Sequence, residues 1–282
     1  MTELDHCQAL VREADKDRFL ATLFAPQQHR AALFALYAFN IEIARIREVV
    51  REPMAGEMRL QWWADMLDNK EHGTVDAHPV VAALKQAIER YRLPLEPLKA
   101  MVEIRFFDLY DDQPMTLEAL ETYASQTAAS LISLAAQILN NGKAHALGEI
   151  AEHAGIAYGL AGLLRAFPLH AARGKLYLPA DLMREHDALA ADALAERSTP
   201  ALRAVLMALR ARALLHLSAL RISIGDVPPA MAPAFLPLAP VRTLLMRLER
   251  EKDAPFEMVD IPQWRRQWLM WRAARNPTRI AD

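Results

Sequence analysis

Asp108 and Asp112 stand four apart, the spacing at which two carboxylates share a helix face and can hold Mg²⁺. They run into the turn Asp111-Asp112-Gln113-Pro114, so a solvated helix end is the expectation. Arg165, His170, Arg173 and Lys175 crowd one short segment, a pattern apt for a phosphate or an acidic partner. A solvated loop is the competing reading. His145, Glu149 and His153 are too scattered to hold a metal without a third convergent ligand. There is no glycine-rich phosphate loop, no Gly-x-Ser-x-Gly and no zinc spacing. Cys7 is the one cysteine, which excludes an internal disulfide and a cysteine-based metal site.

Two stretches must position these groups. Ala31 to Val50 has no Gly and no Pro and is apolar on nearly every side, so it reads as a buried helix. Phe34, Tyr37, Ile41, Ala44 and Glu48 share one of its faces. Gly155, Gly159, Gly162 and Ala166 share a face of the second stretch. Each interior Gly costs ~1 kcal/mol against Ala, so the set needs a reason. Close helix packing is one; the floor of a cavity is the other. The two stretches read as the walls of one central cavity.

Hydrophobic residues at 53% and charged residues at 24% exclude a disordered chain. Only nine Gly among 282 residues, with little strand-like alternation, favours an all-α chain. The net charge of −2 gives no general attraction to nucleic acid or anionic lipid. No window reaches the ~20 apolar residues of a spanning helix, and the start MTELDHCQAL lacks an apolar leader segment. The spacing predicts an N-terminal arm over about 1–25 with a helix from Asp5 to Arg18. Further helices are predicted from Pro26, Gly56, Pro79, Pro94 and Thr116. A helix over 144–167 should stop before Pro168. Others follow after Pro179, from Pro200, from Pro240 and over 263–275, all within one domain. The last, with Trp264, Trp268, Trp271 and several Arg residues, suits a membrane surface. The commoner arrangement buries the Trp residues and solvates the Arg residues.

At the two core stretches the chain resembles the squalene/phytoene synthase family, all-helical prenyltransferases that join isoprenoid diphosphates head to head. Tyr37-Ala38-Phe39, Met58-Arg59-Leu60-Gln61-Trp62-Trp63, His78-Pro79-Val80, Tyr123 and Arg173-Gly174-Lys175-Leu176-Tyr177-Leu178-Pro179 carry the resemblance. It implies an isoprenoid-synthase-type helical bundle around a central cavity. It also marks where Mg²⁺-binding Asp residues belong, and there the chain departs. Ala44 and Arg45 replace the first two Asp residues of the first signature, and only Glu48 is acidic. In the second signature Gly162 stands for Asn, Ala166 for Asp and His170 for the last Asp.

The departures match a narrower branch, which resembles the mitochondrial respiratory complex I assembly factor with this fold. Ala38 to Glu42, Met58 to Trp63 and Leu164 to His170 carry that likeness. The implied protein is catalytically silent, binds no metal or other cofactor, and lies in the cytoplasm, peripheral at the inner membrane. Its expected partners are complex I subunits or assembly intermediates, with membrane lipid or an isoprenoid as further candidates. Tyr37, Glu48, Arg165, His170, Arg173, Lys175 and Tyr177 are its expected contact residues. The pocket mouth should be positive, with Arg165 pairing Glu48 and with Arg173 and Lys175 at the rim. The alternative is an active prenyltransferase, with Mg²⁺ held through Asp108, Asp111 and Asp112.

Overall fold

The computed structural model describes residues 2–50, 52–70, 78–110 and 115–282. Among them there is no strand. The helices, in chain order, are α1 (Glu3–Ala14), α2 (Lys16–Leu23), α3 (Gln27–Val49), α4 (Pro53–Leu67), α5 (Pro79–Tyr91), α6 (Leu95–Glu103), α7 (Leu117–Ala124) and α8 (Ser130–Leu139). Then come α9 (Gly148–Ala172), α10 (Ala180–Glu185), α11 (Ala190–Leu194), α12 (Pro200–Ser223), α13 (Val241–Arg250) and α14 (Gln263–Arg275). Among the described residues no helix is long and apolar enough to cross a membrane. The chain falls into two compact units: Met1–Tyr110 with Ser130–Ala151 and Val227–Pro237, and Asp111–Ala129 with Glu152–Asp226 and Leu238–Asp282.

The first unit is built on α3. Its residues Leu33 to Phe39 are all buried, and α1, α2, α4, α5 and α8 lie against it. Pro26 precedes its first turn, where a missing N–H costs nothing. The N-terminal arm is two helices rather than one. Asp15 breaks the run because its carboxylate accepts from the Arg18 N–H at 3.0 Å and so starts α2 afresh. The same carboxylate pairs with the Arg18 guanidinium at 2.6 Å. Thr2 and Asp5 close a reciprocal cap on α1, and Cys7 in that helix is wholly buried. After α6 a 3₁₀ turn, Ile104–Leu109, carries Asp108. Asp108 is not solvated as its position suggested: it is 4% exposed and pairs with Arg105 at 3.1 Å. Asp111 and Asp112 lie outside the described residues.

The second unit holds α7, α9 from Glu152 onward, and α10 to α14. Thr116 caps α7, accepting from the Ala119 N–H at 3.2 Å, and Asp181 of α10 accepts from the Leu117 N–H at 3.1 Å. Two of the four open donors of that end are thus satisfied. A π turn, Ser125–Ala129, follows α7. The helix expected over 144–167 is displaced: α9 starts at Gly148 and runs through Pro168 to Ala172. The proline loses one backbone bond there, and burial of Phe167 and Ala171 on either side holds the helix together.

Candidate functional site

The residues marked by the sequence fall in both units. In the first, α3 grades along one face from Tyr37 and Ile41, both buried, to half-buried Ala44 and exposed Glu48. Burial pushes the Tyr37 phenol above its ordinary pKa, against the opposing pull of the Arg18 guanidinium over its ring at 5.7 Å. Exposed Arg45 lines a cavity of about 600 Å³ with Ile41, Met58, Trp62, Trp63 and His78. The His78 ring lies 5.5 Å from Trp62 and 5.6 Å from Trp63, centre to centre. The patch Met58 to Trp63 is therefore a wall of that cavity, with its indoles held by His78 and by Phe39 at 5.2 Å.

In the second unit the glycine face of α9 divides in two. A Cβ at Gly155 would stand 2.3 Å from the Ala129 backbone nitrogen, and one at Gly159 would stand 2.8 Å from the Ala124 Cβ. These two exist for close packing on α7 and its π turn. A Cβ at Gly162 would meet nothing within 4 Å, and both Gly162 and Ala166 are half-buried. Gly162, Ala166 and His170 follow at spacings of four, so the three replaced positions of the second signature make one stripe. His170 supplies its polar side chain, with the ring 4.9 Å from Tyr177.

The single basic cluster expected over 165–175 separates. Arg165 and His170 are five apart in α9 and so point ~140° apart. Within its own unit Arg165 stands 4.0 Å from Asp260, which also takes Arg266. Lys175 is not a rim cation either. It is 9% exposed, with its ammonium 5.7 Å from the centre of the Tyr177 ring, whose other neighbour is Tyr123 at 6.0 Å. Arg173 is exposed. His170, Lys175 and Tyr177 thus come together, while Arg165 is set beside Asp260 and the Arg173 side chain is exposed.

Sequence reasoning missed a polar network inside the same unit. His153 of α9 meets His216 of α12, Nδ1 to Nδ1 at 3.0 Å. His216 Nε2 lies 3.1 Å from the Glu121 carboxylate, which also receives the Arg212 guanidinium. Burial by itself would raise the Glu121 pKa, but the hydrogen bonds from Arg212 and His216 leave it below the ordinary value. Burial, with the Arg212 and His153 charges, holds His216 below its ordinary value against the pull of Glu121. The partners are far apart in the chain, and nothing local in the sequence joins them.

The squalene/phytoene synthase family model matches residues 11–272. The human protein "NADH dehydrogenase (ubiquinone) complex I, assembly factor 6" is 33% identical over 247 residues, covering 87% of this chain and 74% of its own length. The presqualene diphosphate synthase of Rhodopseudomonas palustris is 27% identical over 202 residues, 71% of each chain. The crystal structure of a squalene synthase from Alicyclobacillus acidocaldarius superposes with a TM-score of 0.74 over 90% of this chain and 95% of its own, at 20% identity. With that span of sequence and that helical fold, the chain belongs to the squalene/phytoene synthase family.

Proposed function

We propose that this chain serves the assembly or stability of respiratory complex I by contact, without catalysis. The observation that carries this is the set of side chains at the five acidic positions of the two signatures: Ala44, Arg45, Glu48, Ala166 and His170. A Mg²⁺ cluster that neutralises a leaving diphosphate needs several carboxylate oxygens, and one exposed Glu beside Arg45 and Arg47 is a poor substitute. Likeness to a human complex I assembly factor across most of both chains supports the direction of the reading. The partners are then complex I subunits or assembly intermediates.

Two measurements test it. With farnesyl diphosphate and Mg²⁺, pyrophosphate should appear no faster than in a blank; sustained release would overturn catalytic silence. Deletion in the host should lower assembled complex I, seen on native gels, with recovery on re-expression. Unchanged complex I would overturn the assembly role. Arg173, exposed at the end of α9, is the cation to vary within that assay. Arg173→Glu is expected to lower assembled complex I at normal protein level, and no change would remove this rim from the contact surface.

A further inference from the structure

The last helix reverses the commoner arrangement of its residues. Trp264, Trp268, Trp271 and Arg275 follow at spacings of four, three and four, which is one face of α14. That face is in solvent: Trp264 is 70%, Trp268 48% and Trp271 44% exposed. The opposite face, with Arg266, Met270 and Ala273, is buried, and Arg266 is fastened to Asp260. The helix is seated by one side and shows its indoles on the other. The Arg272 guanidinium lies 4.5 Å from the Trp268 ring centre and that of Arg275 lies 4.0 Å from Trp271. α14 contains no Asp or Glu, and Arg265 and Gln267 beside the indoles are exposed as well.

Three indoles in water form an apolar surface that calls for a cover. Trp combines a large apolar ring with one N–H, a combination that favours the boundary between lipid headgroups and acyl chains. The Arg residues among them add attraction to negative headgroups. From Trp264 to Trp271 the rings run ~10 Å along a helical ridge, not inside a pocket. Protein hot spots sit instead at the centre of a packed ring that excludes water. The net charge of −2 means that any such attraction is local to this helix. We infer that α14 lies in the plane of a bilayer bearing anionic headgroups, with Trp264, Trp268 and Trp271 dipped into it. This inference is independent of the complex I reading.

The test uses the full chain with vesicles of phosphatidylcholine alone or mixed with phosphatidylglycerol. The protein should float with the mixed vesicles, its Trp emission should shift to the blue, and added salt should weaken both effects. Combined Trp264→Ser, Trp268→Ser and Trp271→Ser should lower the partition constant about tenfold or more, with thermal unfolding unchanged. Arg265→Gln with Arg275→Gln should weaken binding to the mixed vesicles alone. Failure of the unaltered protein to bind mixed vesicles overturns the inference, as does a triple Trp variant that binds equally well. If the unaltered protein ignores vesicles and the triple variant lowers complex I in the host, the face docks protein, and the lipid assignment is wrong.

Discussion

Gly155→Ala is expected to cost about 3 kcal/mol of stability, whereas Gly162→Ala is expected to be neutral or to gain up to about 1 kcal/mol. The two glycines share one helix and nearly one face, so helix propensity favours Ala equally at both. Space decides the difference. At 155 the added carbon meets the backbone nitrogen of Ala129 at 2.3 Å and its Cα at 2.4 Å, inside the π turn. A backbone cannot swing aside as a flexible side chain does, so either α9 or the turn must move and lose packing. At 162 no atom stands within 4 Å. Urea midpoints at an unchanged m-value read the difference directly. Equal midpoints for the two variants would show that the stripe is uniform and the division argued above is wrong.

Glu121→Ala is expected to destabilise by about 2–3 kcal/mol, because it leaves the Arg212 cation and His216 without their shared acceptor. Arg212 is 38% exposed at its side chain, so water recovers part of the loss and the lower end of that range is the better figure. The same network makes the fold acid-sensitive. Burial holds His216 below the ordinary imidazole value, as burial and then Arg90 do for His29 in the first unit. The unfolded chain therefore takes up these protons first. Their stabilisation is complete above about pH 6.5 and declines as pH falls through that value toward the folded pKa. Glu121, depressed in the folded state, adds a second loss at lower pH, as its carboxylate is protonated. His29→Gln with His216→Gln should flatten the first of these losses and leave the second. A urea midpoint that stays constant in the unaltered protein from pH 7 to about pH 5.5 would contradict the neutral-histidine argument.

Helix starts were legible because their chemistry is local. Pro26, Pro79, Thr116 and Pro200 act through their own φ or side chain, and each sits where the spacing puts it. The failures needed information from elsewhere in the chain. Pro168 reads as a stop, yet buried neighbours carry α9 past it. Asp15 reads as one more helical residue until its carboxylate is seen on the Arg18 N–H. The family positions Ala44, Gly162, Ala166 and His170 were legible from motif order alone. Their surroundings were not, since periodicity gives a face without saying what meets it. That is why one glycine stripe proved to be two things, why Lys175 lay under the surface, and why the indoles of α14 faced out.

Cys7 has a practical consequence. Burial, and then the charges of Glu3 and Glu42, push its thiol up to about 11, so at neutral pH it is neither exposed nor ionised. A thiol reagent can reach it only when α1 lifts from α3 and α5. Because the chain has one cysteine, no other site competes for the label. When reclosing outruns alkylation, the labelling rate reports the population of opened α1; when alkylation is faster, it reports the rate of opening itself. The unaltered sequence thus carries its own probe of how firmly its first helix is held, readable by mass spectrometry without any substitution.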